Sequence, residues 1–217
     1  PAQYNLAVMY ENGNGVPKDY AEAVKLYRLA AEQGYAYAQY SLGVMYENGL
    51  GVPQDYVEAV RWHRLAAEQG NSSAQNALGL DYFTGEGVPQ DYVEAVKWFR
   101  LAAEQGVAGA QFVLGNMYSH GKAVPQDDAE ALRWYLLAVE QGFAGAQYQL
   151  GKLYIIGKGV PQSKVMAHMW LNIASASGYP AANELRDELA GFMTPTDISE
   201  AQSRARVCME SDYQDCE

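Results

Sequence analysis

Hydrophobic residues recur along this chain in a pattern that alternates two helical segments with short polar turns. In the first segment, Ala38, Leu42 and Tyr46 are spaced at i, i+4 and i+8, which places them on one face of a helix. A second segment follows a Val-Pro turn and carries Trp62 and Ala66 four residues apart. The pattern therefore predicts a pair of amphipathic helices joined by short turns.

This helix pair repeats along most of the chain. Proline recurs at an unbroken interval of 36 residues, each time preceded by valine, at Pro17, Pro53, Pro89, Pro125 and Pro161. The alanine, leucine and tyrosine of the first helix recur at the same interval, which is the mark of a repeat protein. We predict one domain over residues 1–181 with five repeats, at 2–37, 38–73, 74–109, 110–145 and 146–181.

The predicted helices have recognisable ends. Gly49 ends the first helix as a C-cap, and Gly70 ends the second. Asp55, with Glu58 three residues later, is a capping-box signature that starts the second helix. Helices of this length cannot bury their apolar faces alone, so neighbouring pairs must stack. Leu78, in the middle repeat, is therefore predicted to lie in the core.

Residues 182–217 are predicted to form a partial sixth repeat, with C-terminal capping helices and a cysteine tail. The second helix of repeat five replaces basic residues with Met169, Leu171 and Asn172, which predicts that other helices cover it. The covering segments are NELRDELAGF and DISEAQSRARVCM. In the latter, Asp197 and Glu200 are predicted to repeat the capping box.

The chain has two cysteines, Cys208 and Cys216, both near its C-terminal end. A disulfide between them would close a small loop and would indicate an oxidising compartment. The alternative is a pair of unrelated free thiols in a cytosolic protein. A metal site is disfavoured because no histidine accompanies them.

Composition and charge narrow the range of partners. The chain has 217 residues, is 49% hydrophobic and can bury a substantial core. Its formal net charge of −11 disfavours nucleic acids and anionic membrane surfaces. No stretch reaches the roughly 20 apolar residues of a spanning helix, so we expect no membrane insertion. Pro1 directly precedes the first helix, so we expect missing repeats upstream and end-to-end self-association through the first repeat.

The repeat pattern AQYxLGxxYxxGxGVPxDxxEAxxWxxxAAEQG closely resembles the Sel-one-like repeat, a relative of the tetratricopeptide repeat that is common in bacterial proteins. The resemblance implies an all-α, right-handed superhelical solenoid of helix-turn-helix repeats. Its first helices would line a concave groove that binds proteins or peptides. Many bacterial relatives are exported, which agrees with the cysteine pair, so we expect a periplasmic or secreted protein.

Candidate ligand-binding residues follow from the helical geometry. Counting Ala2 as the first residue of repeat one, the third, seventh, tenth and eleventh residues point away from the Ala, Leu and Tyr face. The candidates are Tyr4, Val8, Tyr40, Val44, Asn76, Leu80, Phe112, Asn116, His120, Tyr148 and Lys152. Those from the N-terminal repeats are mostly apolar anchors, whereas Asn76, Asn116, His120 and Lys152 could clamp a carboxylate. The alternative is that tight curvature buries the third and seventh positions between adjacent first helices.

Four tryptophans at the repeat interval could be mistaken for a stacking platform. They are Trp62, Trp98, Trp134 and Trp170. A position that reads a ligand varies between repeats, whereas a packing position meets the same neighbour each time. We therefore predict that the tryptophans belong to the core.

Catalytic chemistry finds little support in the sequence. Ser119 and Lys122 match the Ser-x-x-Lys motif of penicillin-recognising enzymes, and some cysteine-rich relatives of the repeat are linked to penicillin binding. The partner motifs Ser-Asp-Asn and Lys-Thr-Gly are absent, and a serine at a helix end lacks an oxyanion hole. His63, His120 and His168 have no ligand-type spacing, so we expect no metal and no cofactor.

The sequence thus favours a non-enzymatic scaffold or adaptor that binds a protein or peptide in its groove. One alternative is an envelope-associated recogniser of a peptidoglycan or glycan fragment. A more remote alternative is weak penicillin-binding or penicillin-hydrolysing activity.

Overall fold

The computed structural model describes residues 1–216 and forms twelve α-helices and no strands over that range. The helices are α1 (Ala2–Asn12), α2 (Tyr20–Ala31), α3 (Ala36–Asn48), α4 (Tyr56–Glu68), α5 (Ser72–Thr84), α6 (Tyr92–Glu104), α7 (Ala108–His120), α8 (Asp128–Val139), α9 (Ala144–Ile156), α10 (Lys164–Ala176), α11 (Pro180–Ala190) and α12 (Pro195–Glu210). We call α1, α3, α5, α7 and α9 the A helices, and α2, α4, α6, α8 and α10 the B helices.

The helices divide between two compact units, Pro1–Gln105 with α1–α6 and the remainder from Gly106 with α7–α12. In the first unit each A helix packs on the B helix that follows it, and α2 and α4 also contact the next A helix. In the second unit α7 and α9 pack on α8 and α10 in the same way, and α8 contacts α9. The predicted all-α fold of helix-turn-helix repeats is confirmed. None of the helices in residues 1–216 is long and apolar enough to cross a bilayer.

The helix ends follow the predicted chemistry. Gly49 ends α3 in the left-handed conformation, with φ of 67°, which favours glycine. Asp55 caps α4, because its Oδ1 accepts hydrogen bonds from the backbone N–H groups of Val57 and Glu58. The carboxylate of Glu58 accepts from Arg61 at 3.0 Å, so this glutamate forms an ion pair one turn further along the helix.

The capping box predicted at Asp197 and Glu200 is wrong in its register. Helix α12 begins at Pro195, and Thr194 is its N-cap. The Thr194 hydroxyl accepts from the Asp197 N–H at 3.2 Å, and the Asp197 carboxylate accepts from the Thr194 N–H at 3.3 Å. Proline is well suited to the first position of a helix, where no N–H donor is needed, and this sets the start of α12 earlier. Glu200 instead pairs with Arg204 at 2.8 Å.

The core of the repeats consists of one leucine from each A helix and the small residues around it. Four of these leucines are fully buried: Leu42, Leu78, Leu114 and Leu150. Leu6, at the same position in the first repeat, is 39% exposed because no helix pair precedes it in the structure. End-to-end self-association through this first repeat stays a prediction.

The tryptophans lie where the repeat pattern predicts. Trp62, Trp134 and Trp170 are buried, and Trp98 is partly buried against a core cluster. This placement confirms that they are packing residues.

Helix α10 is covered on two sides, as its apolar sequence predicts. Both α11 and α12 pack against it. Ala201 and Cys208 of α12 lie in one buried cluster with Met169, Trp170 and Ile173 of α10. The basic residues of the earlier B helices are absent here because this face is buried.

A disulfide joins the C-terminal tail to helix α12. Cys208, which is buried in the core, is bonded to Cys216. The ring of Tyr213, inside the closed loop, packs next to Gly142. The tail is therefore part of the packed end of the second unit.

Candidate functional site

We define the A face as the surface formed by the third, seventh, tenth and eleventh residues of each repeat. In the first unit it comprises Tyr4, Val8, Glu11, Asn12, Tyr40, Val44, Glu47, Asn48, Asn76, Leu80, Phe83 and Thr84. In the second unit it comprises Phe112, Asn116, Ser119, His120, Tyr148, Lys152, Ile155 and Ile156. The two parts are described separately.

In the first unit the predicted ligand-binding residues are half-buried, except Leu80, which is exposed. Tyr4 and Val8 pack at the edge of the cluster that contains Ala7 and Tyr27. Tyr40 packs on the next cluster, whereas Leu80 is 41% exposed. Val44 and Asn76 are also half-buried. These side chains therefore contribute to the core and present part of their surface outward.

In the second unit the same positions divide into two groups. Phe112, Asn116 and Tyr148 are half-buried, and both aromatic rings pack on core clusters. His120 and Lys152 are exposed.

Aromatic pairs extend the A face at a position that the sequence reasoning missed. The third residue of three repeats packs on the aromatic residue that immediately precedes α3, α9 or α11. The ring centroids are 5.2 Å apart for Tyr4 and Tyr35, 5.1 Å for Phe112 and Phe143, and 4.8 Å for Tyr148 and Tyr179. The signal was present in the sequence, since Tyr35, Phe143 and Tyr179 are spaced by multiples of the repeat length.

Rings from the B helices pass close beneath the A helices at a glycine. A Cβ atom on Gly43 would lie 2.4 Å from the ring of His63, and one on Gly115 would lie 2.5 Å from the ring of Tyr135. A side chain at these positions would displace the ring, so glycine permits the close approach. The B-helix rings thereby reach residues of the A face.

The polar tips of these rings hydrogen bond to A-helix side chains. The hydroxyl of Tyr27 donates to the Glu11 carboxylate, and the hydroxyl of Tyr135 donates to Asn116 Oδ1 at 2.9 Å. Burial, and then the hydrogen bond to Glu11, raises the pKa of Tyr27, so this phenol stays protonated well above neutral pH. These bonds fix Glu11 and Asn116 from below.

In the second repeat the B-helix ring beside the A-helix glycine belongs to a histidine and makes a different polar contact. His63 is fully buried, and its Nδ1 lies 3.0 Å from Oδ2 of Asp81, which is 7% exposed. The positions 36 residues earlier hold Tyr27 of the first repeat and Met45 of the second, both in one core cluster. The His63–Asp81 pair is thus a local departure from the repeat.

Glu47 lies on the A face near this pair. Burial raises the pKa of its carboxyl group, and the negative charges of Asp81 and Glu86 raise it further, while His63 opposes them. Tyr40, on the same helix, also has a raised pKa, first from burial and then from the charge of Glu47. The charge of Glu47 therefore acts on the Tyr40 phenol.

The structure brings together only part of the predicted carboxylate clamp. Asn116 Oδ1 accepts from Tyr135 and also from Gln149 at 3.2 Å, so this oxygen is engaged within the protein. His120 Nδ1 lies 2.8 Å from the backbone oxygen of Asn116. Lys152 Nζ lies 5.7 Å from the ring centroid of Tyr148. Asn76 belongs to the other unit.

The remaining chemistry-bearing residues are dispersed. Ser119 is half-buried near the end of α7. Burial raises the pKa of the Tyr135 phenol, and a hydrogen bond with the Ser119 side chain opposes part of this increase. His168 is buried, and burial lowers its pKa, as does nearby Arg186. Over the described residues 1–216 there is no group of three or more His, Cys, Asp or Glu side chains arranged to hold a metal ion.

Comparison with known proteins gives a family match over most of the chain. The family model described as the Sel1 repeat matches five consecutive segments, at residues 1–35, 36–71, 72–107, 108–143 and 144–179. No curated protein matches the chain.

Several solved structures are similar to the chain. A protective antigen present in uropathogenic Escherichia coli strains, displaying an SLR fold, is 38% identical with a TM-score of 0.84, over 100% of this chain and 47% of that protein. The chain thus spans about half the length of that relative. A Sel1 repeat protein from Oxalobacter formigenes is 36% identical with a TM-score of 0.79, over 85% of this chain and 76% of that protein. A Klebsiella pneumoniae protein with a sel1 repeat is 26% identical with a TM-score of 0.53, over 87% of this chain and 92% of that protein.

Proposed function

Because the chain belongs to the Sel1 repeat family, we propose that it is a non-enzymatic scaffold that binds a protein or peptide segment on the A face of its repeats. Sel1 repeats generally mediate protein interactions, and the fold is typically non-catalytic. The observation that carries the proposal is the half-burial of the A-face aromatic and aliphatic residues, which are held by the core and still present part of their surface outward.

Half-buried anchors are well suited to binding. Tyr4 contacts the rings of both Tyr27 and Tyr35, so its orientation is restricted before any partner arrives. A side chain that is already ordered loses little conformational entropy on binding, and this improves affinity. Tyrosine also offers a large apolar ring with a polar tip, as in the hot spots of protein interfaces.

The proposal places the protein in the periplasm or outside the cell. The support is the disulfide between Cys208 and Cys216, which is the kind of bond that persists in oxidising compartments. Its partner would then be another protein or a peptide of the same compartment.

The test is affinity capture with matched surface variants. Tagged wild-type protein and the Tyr40→Ala/Leu80→Ala variant are compared, with Leu65→Ala/Leu101→Ala as the control. Leu65 and Leu101 are B-helix residues of the same unit with exposures of 37% and 44%, similar to that of Leu80. Quantitative mass spectrometry should show partners lost from the A-face variant and retained by the control.

Partners retained equally by both variants would contradict the proposal. Circular dichroism and thermal unfolding of each variant establish that the fold is intact before binding is compared.

A further inference from the structure

The A helices of the first unit differ from the rest of the protein in their charge. Helices α1, α3 and α5 contain acidic side chains and no lysine or arginine; the acids are Glu11, Glu47 and Asp81. Each B helix of the same unit carries both signs of charge. The A face of this unit therefore combines aromatic, aliphatic and neutral polar residues, and its only charged groups are the carboxylates of Glu11 and Glu47.

Two of these three acids are committed to contacts with the core. Glu11 accepts from the hydroxyl of Tyr27, and Asp81 lies against His63. Glu47 takes part in none of the ion pairs found among residues 1–216. The glutamates in the first turn of the B helices of this unit behave differently; Glu58, for example, pairs with Arg61. Glu47 is thus an acid on the A face without a cation of its own.

The surroundings of Glu47 favour a cation. Burial is the main cause of the raised pKa of this half-buried carboxyl group; His63 opposes the shift, and the charges of Asp81 and Glu86 add to it, so a further positive charge placed here would be stabilised. Tyr40 and Glu47 are seven residues apart on α3, so they lie two turns from each other on the same face of the helix, and both are half-buried. An aromatic ring and a carboxylate on one helix face can together bind the long side chain of an arginine or lysine, through cation–π attraction and a charged hydrogen bond.

We propose that the A face of residues 1–105 binds a basic peptide segment, with an arginine or lysine of the partner seated beside Tyr40 and Glu47. This inference rests on the proposed function and names the chemistry of its ligand. The apolar side chains of the same segment would pack on Val8, Val44 and Leu80. Because the charged residues of α1, α3 and α5 are all acidic, charge complementarity favours a basic peptide over a neutral or acidic one.

A random-peptide display library panned against the full chain tests the inference without knowledge of the natural partner. Selected peptides are synthesised, and their affinities are measured by fluorescence anisotropy for the wild type and for Glu47→Gln. The control is Glu68→Gln, which removes the same charge from an exposed site at the end of α4. Any effect of the overall negative charge of the protein appears equally in both variants.

The inference predicts that the selected peptides carry a net positive charge. Their affinity should fall about fivefold or more in Glu47→Gln, stay within about twofold in Glu68→Gln, and weaken as salt is added. Neutral or acidic peptides, or basic ones that bind Glu47→Gln as tightly as the wild type, would overturn the inference. If such peptides still require Tyr40 and Leu80, the proposed function stands, whereas peptides that bind the Tyr40→Ala/Leu80→Ala variant unchanged contradict both.

Discussion

At the scale of single residues, one B-helix position keeps the same packing in every repeat while its side chain changes. The B-helix residue that packs against the A-helix glycine is Tyr27, His63, Phe99, Tyr135 or Leu171, depending on the repeat. Alanine replaces the glycine in repeat one. The packing is similar in each repeat, but only the tyrosines donate a hydrogen bond to an A-face side chain, whereas His63 contacts the buried Asp81. Positions that vary between repeats in this way are candidates for recognition, whereas invariant positions serve packing.

Two leucines on α5 should contribute differently to stability, because one is buried and the other is exposed on the A face. Leu78 is fully buried, so Leu78→Ala should leave a cavity and lower the free energy of unfolding by about 2–5 kcal/mol. Leu80→Ala removes an exposed side chain and should cost less than about 1 kcal/mol. Urea unfolding followed by circular dichroism measures both. A loss below about 1 kcal/mol for Leu78→Ala would show that this leucine does not fill the core.

The His63–Asp81 pair offers a second test within the core. His63→Phe leaves the carboxylate of Asp81 buried without its partner and should cost about 3–5 kcal/mol. The double variant His63→Phe/Asp81→Met makes the site resemble the apolar contact around Tyr27 and Met45 and should recover most of that loss. Urea unfolding of the two variants decides the matter, and a double variant no more stable than the single one would refute the interpretation.

Glu47 should show a cost in stability that depends on pH. Its pKa is raised in the folded protein, so the ionised form destabilises the fold at neutral pH. Glu47→Gln should therefore raise the melting temperature at pH 7. The difference from the wild type should shrink as the pH falls through the raised pKa, because the folded protein then takes up the proton, and should vanish below the ordinary pKa of 4.5, where Glu47 is neutral in both states. Thermal unfolding across this pH range, with Glu68→Gln as a control, measures the effect; a lower melting temperature at pH 7 would contradict it.

At the scale of helices, the sequence predicts most of what is observed, because caps and periodicity are local signals. Glycine and aspartate mark helix ends and starts where expected, as at Gly49 after α3 and Asp55 before α4. The start of α12 was misplaced because Thr194 and Asp197 are both good N-caps, and only Pro195 discriminates between them.

The burial of the A face was harder to predict than the helices themselves. Whether Tyr40 is exposed or buried depends on how closely adjacent A helices approach, which is a tertiary property. Its observed half-burial lies between the two alternatives that the sequence allows. The partners of Asn116 were equally inaccessible, since Tyr135 and Gln149 reach it from two other helices.

The C-terminal disulfide should stabilise the second unit measurably. It joins α12 to the tail across a sequence separation of eight residues. Removing it with Cys216→Ser should lower the free energy of unfolding by about 2.6 kcal/mol on the loop-entropy model. Reduction of the wild type should produce the same loss, and reductant should not affect Cys216→Ser further. Equal stability of oxidised and reduced wild type would show that the bond has no structural role.

At the scale of the whole molecule, the repeat architecture separates two kinds of surface. B helices carry charged residues that pair along their own length, such as Glu22 with Lys25 and Glu130 with Arg133. A helices carry half-buried aromatic and aliphatic residues whose identity varies between repeats. We infer that the first surface provides solubility and that the second provides recognition.

Site-specific photo-crosslinking tests this division most directly. Benzoyl-phenylalanine is placed at Val44 on the A face or at Leu65 on a B helix of the same repeat, in cells that express the chain. We expect cross-linked partner proteins from position 44 and few or none from position 65. Cross-links of equal yield from both positions, or from position 65 alone, would contradict the assignment of binding to the A face.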